Sequence, residues 1–304
     1  MKRWVVIFGL WLAGIPMSFA QDDLLDVLSK EQNDIPIYTT ATFKSTRLVS
    51  GHSVETIAEK HLDFRVSHRF GAVNSGFTEL FGLDQSTIRL GLEYGLTNRL
   101  TIGLGRSSSE KVYDYYAKYK VLRQSTGSVS MPVTITALVA GYTTTQPTSP
   151  NRMYFNNVER QSYCAQLLIA RKFGEKLSLQ LAPTVLHRNK SETPIDANTL
   201  YSLGIGGRFK LSKRTSFNAE YYYTPSQIGD TPLRDPQFTN ALSVGFDIET
   251  GGHVFQLHLS NSKGMMERAL IGQTTGQWSS GDIFYGFNIS RVFSFDKSAQ
   301  KKHQ

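Results

Sequence analysis

The chain has 304 residues, 40% of them hydrophobic and 19% charged, with a formal net charge of +8 and a slightly negative mean hydropathy. That length suits one large all-β domain or two ordinary ones. After the first 20 residues no apolar run approaches the ~20 residues of a membrane helix, so a helical membrane protein is excluded. The lone Cys164 excludes an internal disulfide and a thiolate zinc site.

The first element is a targeting segment. Lys2 and Arg3 form a basic start, Trp4 to Ile15 is an apolar run too short to span a bilayer, and Ser18 and Ala20 supply small residues before a cleavage point. Residues 1–20 are therefore expected to be a signal peptide, with a mature chain from Gln21. Residues 21–60 form a lead-in or a plug segment. It is acidic at first (Asp22, Asp23), weakly strand-like over 41–48, and carries a predicted helical turn over 53–60 with Ser53 as cap.

From His61 the pattern changes to period two, apolar and polar in alternation, which gives a strand one greasy and one polar face. The first strand is His61 to Phe70, with Leu62, Phe64, Val66 and Phe70 on the apolar face. Ile88 to Gly95 and Leu100 to Gly105 form a pair around the turn Leu96 to Arg99. Tyr113 to Val121 and Met131 to Val139 follow. Further strands carry Tyr163 to Ile169, Leu177 to Leu181, Leu203 to Phe209 and Phe217 to Tyr223. The last three carry Leu242 to Ile248, Phe255 to Leu259 and Ile283 to Ile289.

The total is about twelve strands. Short turns (96–99, 174–176, 212–214, 250–252) alternate with long connections (71–85, 143–159, 189–198, 225–238, 261–280). This predicts an all-β, antiparallel transmembrane β-barrel over residues 61–295, with short periplasmic turns and longer external loops, in the outer membrane of a Gram-negative bacterium. Tyr (14) and Phe (18) supply the amphipathic rings that such a barrel places at its interfaces. Outer-membrane lipid is the expected surround. The aromatic strand ending Val292-Phe293-Ser294-Phe295 is the expected handle for the barrel assembly machinery, although a polar tail, 296–304, follows it.

The opposite faces of these strands carry charge. Arg65, Arg69, Arg89, Lys118, Lys120, Lys172, Arg208 and Lys210 share the inward side with Asp63, Glu93, Asp114, Glu220, Asp247 and Glu249. Twelve strands enclose a lumen wider than that of a filled eight-stranded barrel. These charges either line a narrow aqueous channel or close it as a network of ion pairs. The basic balance of an exported chain points to anionic headgroups or small anionic solutes, not nucleic acid.

Several segments carry a family likeness. They include 41–47, 51–55, Ser67-His68-Arg69-Phe70-Gly71, Phe81-Gly82-Leu83-Asp84, Gly91-Leu92-Glu93-Tyr94-Gly95, 103–107 and Gly286-Phe287-Asn288-Ile289-Ser290-Arg291-Val292-Phe293. Together they resemble a family of outer-membrane β-barrels of unknown function from Bacteroidota-type bacteria. The resemblance implies fold and location, and assigns no chemistry to any residue.

Two local patterns bear on chemistry. His258-Leu259-Ser260-Asn261 resembles the His-x-Ser-Asn core of outer-membrane phospholipase A, in which the histidine activates the serine. Here both side chains point inward, away from the lipid such an enzyme attacks. His52, His61 and His68 are spaced too irregularly to define a metal site, and no pattern asks for a cofactor. The sequence supports a passive channel or transporter for small solutes with weak anion preference. The alternative is a non-conducting barrel that docks partners, and a lipid hydrolase ranks third.

Overall fold

A computed structural model describes residues 35–149 and 153–296. The predicted signal, the lead-in before Ile35 and the tail beyond Asp296 lie outside the described residues.

Twelve antiparallel strands close into one barrel. The first six are β1 (His61–Ala72), β2 (Ser86–Gly95), β3 (Leu100–Ser107), β4 (Val112–Leu122), β5 (Thr134–Thr144) and β6 (Gln161–Phe173). The others are β7 (Leu177–Arg188), β8 (Thr199–Lys210), β9 (Thr215–Tyr223), β10 (Ala241–Thr250), β11 (His253–Ser260) and β12 (Phe284–Ser294). Each strand pairs with its neighbours in sequence, and β12 returns to β1 with Phe293 opposite Leu62 and Phe287 opposite His68. Closure leaves no sheet edge, which is the condition for a β-structure in hydrocarbon.

The alternation seen in the sequence is the alternation of burial. In β2, Thr87, Arg89, Gly91, Glu93 and Gly95 are buried while Ile88, Leu90 and Leu92 lie on the outer surface. In β7, Leu177, Leu179, Leu181 and Val185 face out. An apolar belt of this extent would be a liability in water and is the required surface in lipid. Aromatic rings bound it at both ends. Tyr113, Tyr163, Tyr201, Tyr223 and Tyr285 sit at the loop ends of their strands, and Tyr94, Phe173, Phe209 and Phe293 at the turn ends. Rings that are apolar with a wet tip belong at such interfaces.

The tight turns share one end of the barrel. The β10–β11 turn uses Gly251 and Gly252, both with positive φ (50° and 88°), as a two-residue hairpin of this hand requires. The strict alternation of short and long connections has two exceptions. The β3–β4 connection at the loop end spans only 108–111, and the β4–β5 connection at the turn end runs over 123–133. The latter departs because residues 125–127 pair with Pro36–Tyr38 ahead of the barrel. Strand β5 also starts at Thr134, not Met131, since Pro132 has no N–H for the ladder.

The long loops are expected to face outside. A cysteine placed at Asn157 or Lys263, both exposed, should react with an impermeant maleimide on intact cells. One at Glu175 or Lys213 should react only after the outer membrane is broken. The reverse pattern would invert the topology.

Candidate functional site

Residues 41–58 form a hairpin that enters the barrel from the turn end and returns to it. Its arms are joined by the Arg47–His52 bridge, by Ser53 N–H donating to Thr46 O (2.9 Å), and by Ser53 Oγ donating to Ser45 O (2.6 Å). The tip closes with Leu48 N–H donating to Gly51 O at 2.9 Å. The segment thus differs from the helical turn expected over 53–60. The Ser53 hydroxyl ties two arms together where a helix cap was expected.

Barrel side chains bind this hairpin through its backbone. The Glu220 carboxylate on β9 accepts from three successive N–H groups, those of Val49 (3.2 Å), Ser50 (2.9 Å) and Gly51 (3.0 Å). Gln256 on β11 and Asn288 on β12 donate to the carbonyls of Leu48 (2.8 Å) and Val49 (2.9 Å). Lys118 on β4 donates to both Thr46 O and Ser53 O at 3.1 Å. Gln180 on β7 donates to His52 O (2.7 Å) and accepts from Val54 N–H (2.9 Å). Thr101 on β3 accepts from Ile57 N–H (2.8 Å), and Thr136 on β5 donates to Val54 O (2.9 Å). Arg208 on β8 donates to Ala41 O at 3.0 Å.

The remaining strands contribute as well. Arg65 and Arg69 on β1 donate to the hydroxyls of Thr46 (3.2 Å) and Ser50 (2.8 Å). Leu168 on β6 joins Phe43, Leu48 and Val54 in a buried apolar cluster. On β2, Gly95 lies directly against the carbonyl of Ala58, and on β10 Glu249 pairs with Lys44. A segment held from every strand of a closed ring lies across its lumen.

Wall glycines shape the space. A Cβ on Gly206 would lie 2.6 Å from Leu48 Cδ1, and one on Gly95 would lie 2.0 Å from Ala58 O. On the hairpin, a Cβ at Gly51 would lie 1.8 Å from Tyr222 Oη. At Gly95 the neighbour is backbone, so only glycine allows the approach; at Gly206 and Gly51 a side chain would force Leu48 or Tyr222 to move.

The other end of the lumen is met by the loop after β11. Its short helix α1 (Glu267–Gly272) is buried, and Glu267 reaches the hairpin. Glu267 lies 3.6 Å from the Arg47 guanidinium, accepts from His52 N–H at 3.3 Å and from Tyr142 Oη at 3.0 Å. Burial first, then the surrounding Arg47, Lys118, Arg89 and Arg65, hold the His52 imidazole well below its usual pKa. The Arg47 guanidinium, which can only donate, lies 3.0 Å from His52 Nε2, so that nitrogen is the acceptor. Arg268 then ties this loop to Glu110 and Glu192 of two neighbouring loops.

The fourteen inward residues expected from the sequence divide by position, with Asp63 beside Arg65 at 3.4 Å and Glu249 paired with Lys44. Arg65, Arg69, Lys118, Arg208 and Glu220 bind the hairpin directly. Arg89 and Asp114 pair with each other on the wall, Nε to Oδ1 at 2.9 Å, and both are buried. Glu93 is buried beside them. Asp247 accepts from Gln256 Nε2 at 2.8 Å. Lys120, Lys172 and Lys210 stand half-buried toward the turn end. Lys120 lies 3.4 Å from Glu55, and Lys172 donates to Thr40 O at 2.9 Å.

Sequence reasoning missed the uncharged readers Gln180, Gln256, Asn288, Thr101 and Thr136, and the loop carboxylate Glu267. The available signal was the run of inward glycines at 95, 103, 105, 204 and 206, which leave space that something must fill.

His258 and Ser260 are both buried and inward. Ser260 Oγ is bonded to Ser243 Oγ (2.9 Å) and accepts from Ser262 N–H (3.1 Å). Neither ring nitrogen of His258 has a hydrogen-bond partner. The relay that would activate the serine is therefore not assembled.

Solved structures with a similar overall shape are barrels. An outer membrane channel from Pseudomonas putida F1 superposes with a TM-score of 0.49 at 16% identity, covering 79% of this chain and 98% of its own. The KdgM porin gives 0.45 at 10% identity, covering 77% and 99%. The outer membrane phospholipase A of Escherichia coli gives 0.43 at 10% identity, covering 78% and 91%. No curated protein matches. A family model described as a membrane bound beta barrel domain matches residues 43–293, from within the hairpin to the end of β12. With its closed ring, apolar belt and aromatic girdles, the chain is an outer-membrane β-barrel, and it belongs to the membrane bound beta barrel domain family (DUF5777).

Proposed function

We propose that this barrel is a channel for small solutes in which the hairpin 41–58 is the gate. The observation that carries this reading is the hairpin's attachment. It is held by side-chain hydrogen bonds and ion pairs around the whole wall, while both its ends leave through the same mouth. It can withdraw toward the turn end without breaking the barrel's own ladder. Once it has left, inward Arg and Lys outnumber inward Asp and Glu, so the path favours anions weakly. Acidic partners on the same wall and screening by salt keep the preference small. The aromatic strand β12 serves as the handle for barrel assembly.

The Gly51→Val variant tests the gate. Valine cannot sit against Tyr222 without moving the tip or the Tyr222 ring, and the substitution itself lies on the hairpin. In planar bilayers the wild-type protein should be nearly silent, and Gly51→Val should carry a steady, weakly anion-selective current. A reading as a non-conducting scaffold is favoured by the paired state of the buried lumen charges such as Arg89 and Asp114. It would be supported if Gly51→Val shows a displaced hairpin and still no current.

A further inference from the structure

The wall that holds the hairpin reads polypeptide backbone, and this gives the solute class. We infer that the lumen is a binding site for short peptides folded as a hairpin, and that the hairpin is its built-in occupant. The inference rests on the gate reading, because a solute reaches the wall only when the hairpin has left it.

The geometry is specific to peptide. Gln180 takes the carbonyl of His52 and gives an acceptor to the N–H of Val54. Those two groups flank one residue, so the side-chain amide does what one residue of a parallel neighbouring strand would do. Glu220 occupies a concavity made by the N–H groups of Val49, Ser50 and Gly51. Successive backbone N–H groups around an anion form a nest, and a carbohydrate has no such row of fixed donors. Gln256 and Asn288 meet the successive carbonyls of Leu48 and Val49. Lys118 reaches a carbonyl on each arm. These readers bind groups that every residue carries.

The tightest side-chain selection lies at the tip. Leu48 is seated where Gly206 lacks a side chain, against Leu168 and Ala182. Next to it, Tyr222 closes on Gly51 and leaves no room for a side chain. The preferred ligand therefore has one medium aliphatic residue followed, three positions later, by glycine. Seating the peptide breaks and forms no covalent bond, and it exchanges the hairpin's hydrogen bonds for the same set from another chain.

The test uses the full-length Gly51→Val protein, whose substitution lies on the hairpin. The probe is a fluorescein-labelled nonapeptide with the sequence of residues 46–54. A second probe is identical except for N-methylation of the three amides that correspond to Val49, Ser50 and Gly51. Release of the hairpin is checked independently by tryptic cleavage after Arg47, with Leu48→Asp as a second releasing variant.

By fluorescence anisotropy the plain peptide should bind the released protein at least ten-fold more tightly than the methylated one. Wild-type protein, whose site is filled, should bind neither. Where the released protein conducts, the plain peptide should also block the current. Equal binding of the two peptides, or no binding to a protein whose hairpin is out, overturns the inference and leaves the gate reading standing. A released protein that binds the plain peptide selectively but carries no current sustains the inference about the wall and overturns the channel.

Discussion

Glu220→Ala is expected to release the hairpin tip from the lumen while the barrel itself stays folded. The substitution removes the only carboxylate that accepts from Val49, Ser50 and Gly51 N–H among the described residues. A buried donor left without a partner costs about 1–3 kcal/mol. Three of them at the low end cost about 3 kcal/mol, roughly a hundred-fold in the ratio of seated to released tip. Water entering the vacated space lowers this figure, and the relief of burying a carboxylate lowers it further, so Glu220→Gln should fall between Ala and wild type. The readout is the rate of tryptic cleavage after Arg47, which is 3% exposed when the hairpin is seated. Electrophoretic migration with and without heating reports the barrel. Continued protection of Arg47 in the Ala variant would show that the nest is not what holds the tip.

The second large effect lies on the other side of the wall. Leu90 and Leu179 are outward residues in the middle of β2 and β7, 49% and 46% exposed. Arginine at the bilayer midplane costs about 2–4 kcal/mol, because the hydrocarbon offers its guanidinium no partner. Leu90→Arg and Leu179→Arg should each lower the stability of the barrel in lipid vesicles by that amount. Arginine at an interfacial position such as Tyr201 should cost less than about 1 kcal/mol. The comparison is made by urea titration of the reconstituted protein. Equal tolerance at all three positions would mean that the belt is not where the alternation puts it.

The barrel was legible in the sequence because lipid and lumen impose opposite demands on adjacent residues. Ile88-Arg89-Leu90-Gly91-Leu92-Glu93 cannot satisfy both in any arrangement other than a strand between them. Turn chemistry such as Gly251-Gly252 then placed the strand ends. A plug within residues 21–60 was expected, but the hairpin's shape was not legible, for a related reason. Its residues touch the wall through backbone amides, and a backbone amide has no letter of its own. Thr42 to Val54 show no periodicity because the arms are buried on all sides. The amide side chains that read them, Gln180, Gln256 and Asn288, look like any polar lumen residue. Charged residues drew attention to the lumen, but the pairing of Arg89 with Asp114, 25 positions apart, depends on register across β2, β3 and β4. Glu267 was hidden for another reason: it lies on a loop, and only the fold turns that loop inward.

The hairpin's contacts also set an order of events during biogenesis. It precedes β1 in the chain, ahead of every strand it binds. Its partners nevertheless extend from Arg65 to Asn288, across the seam where β12 meets β1. Contacts of such sequence separation form late, because the entropy of closing the intervening chain must be overcome first. The seat of the hairpin is therefore complete only when β12 has met β1. Residues 41–58, which come before every barrel strand in the chain, are thus the last to gain their full set of partners.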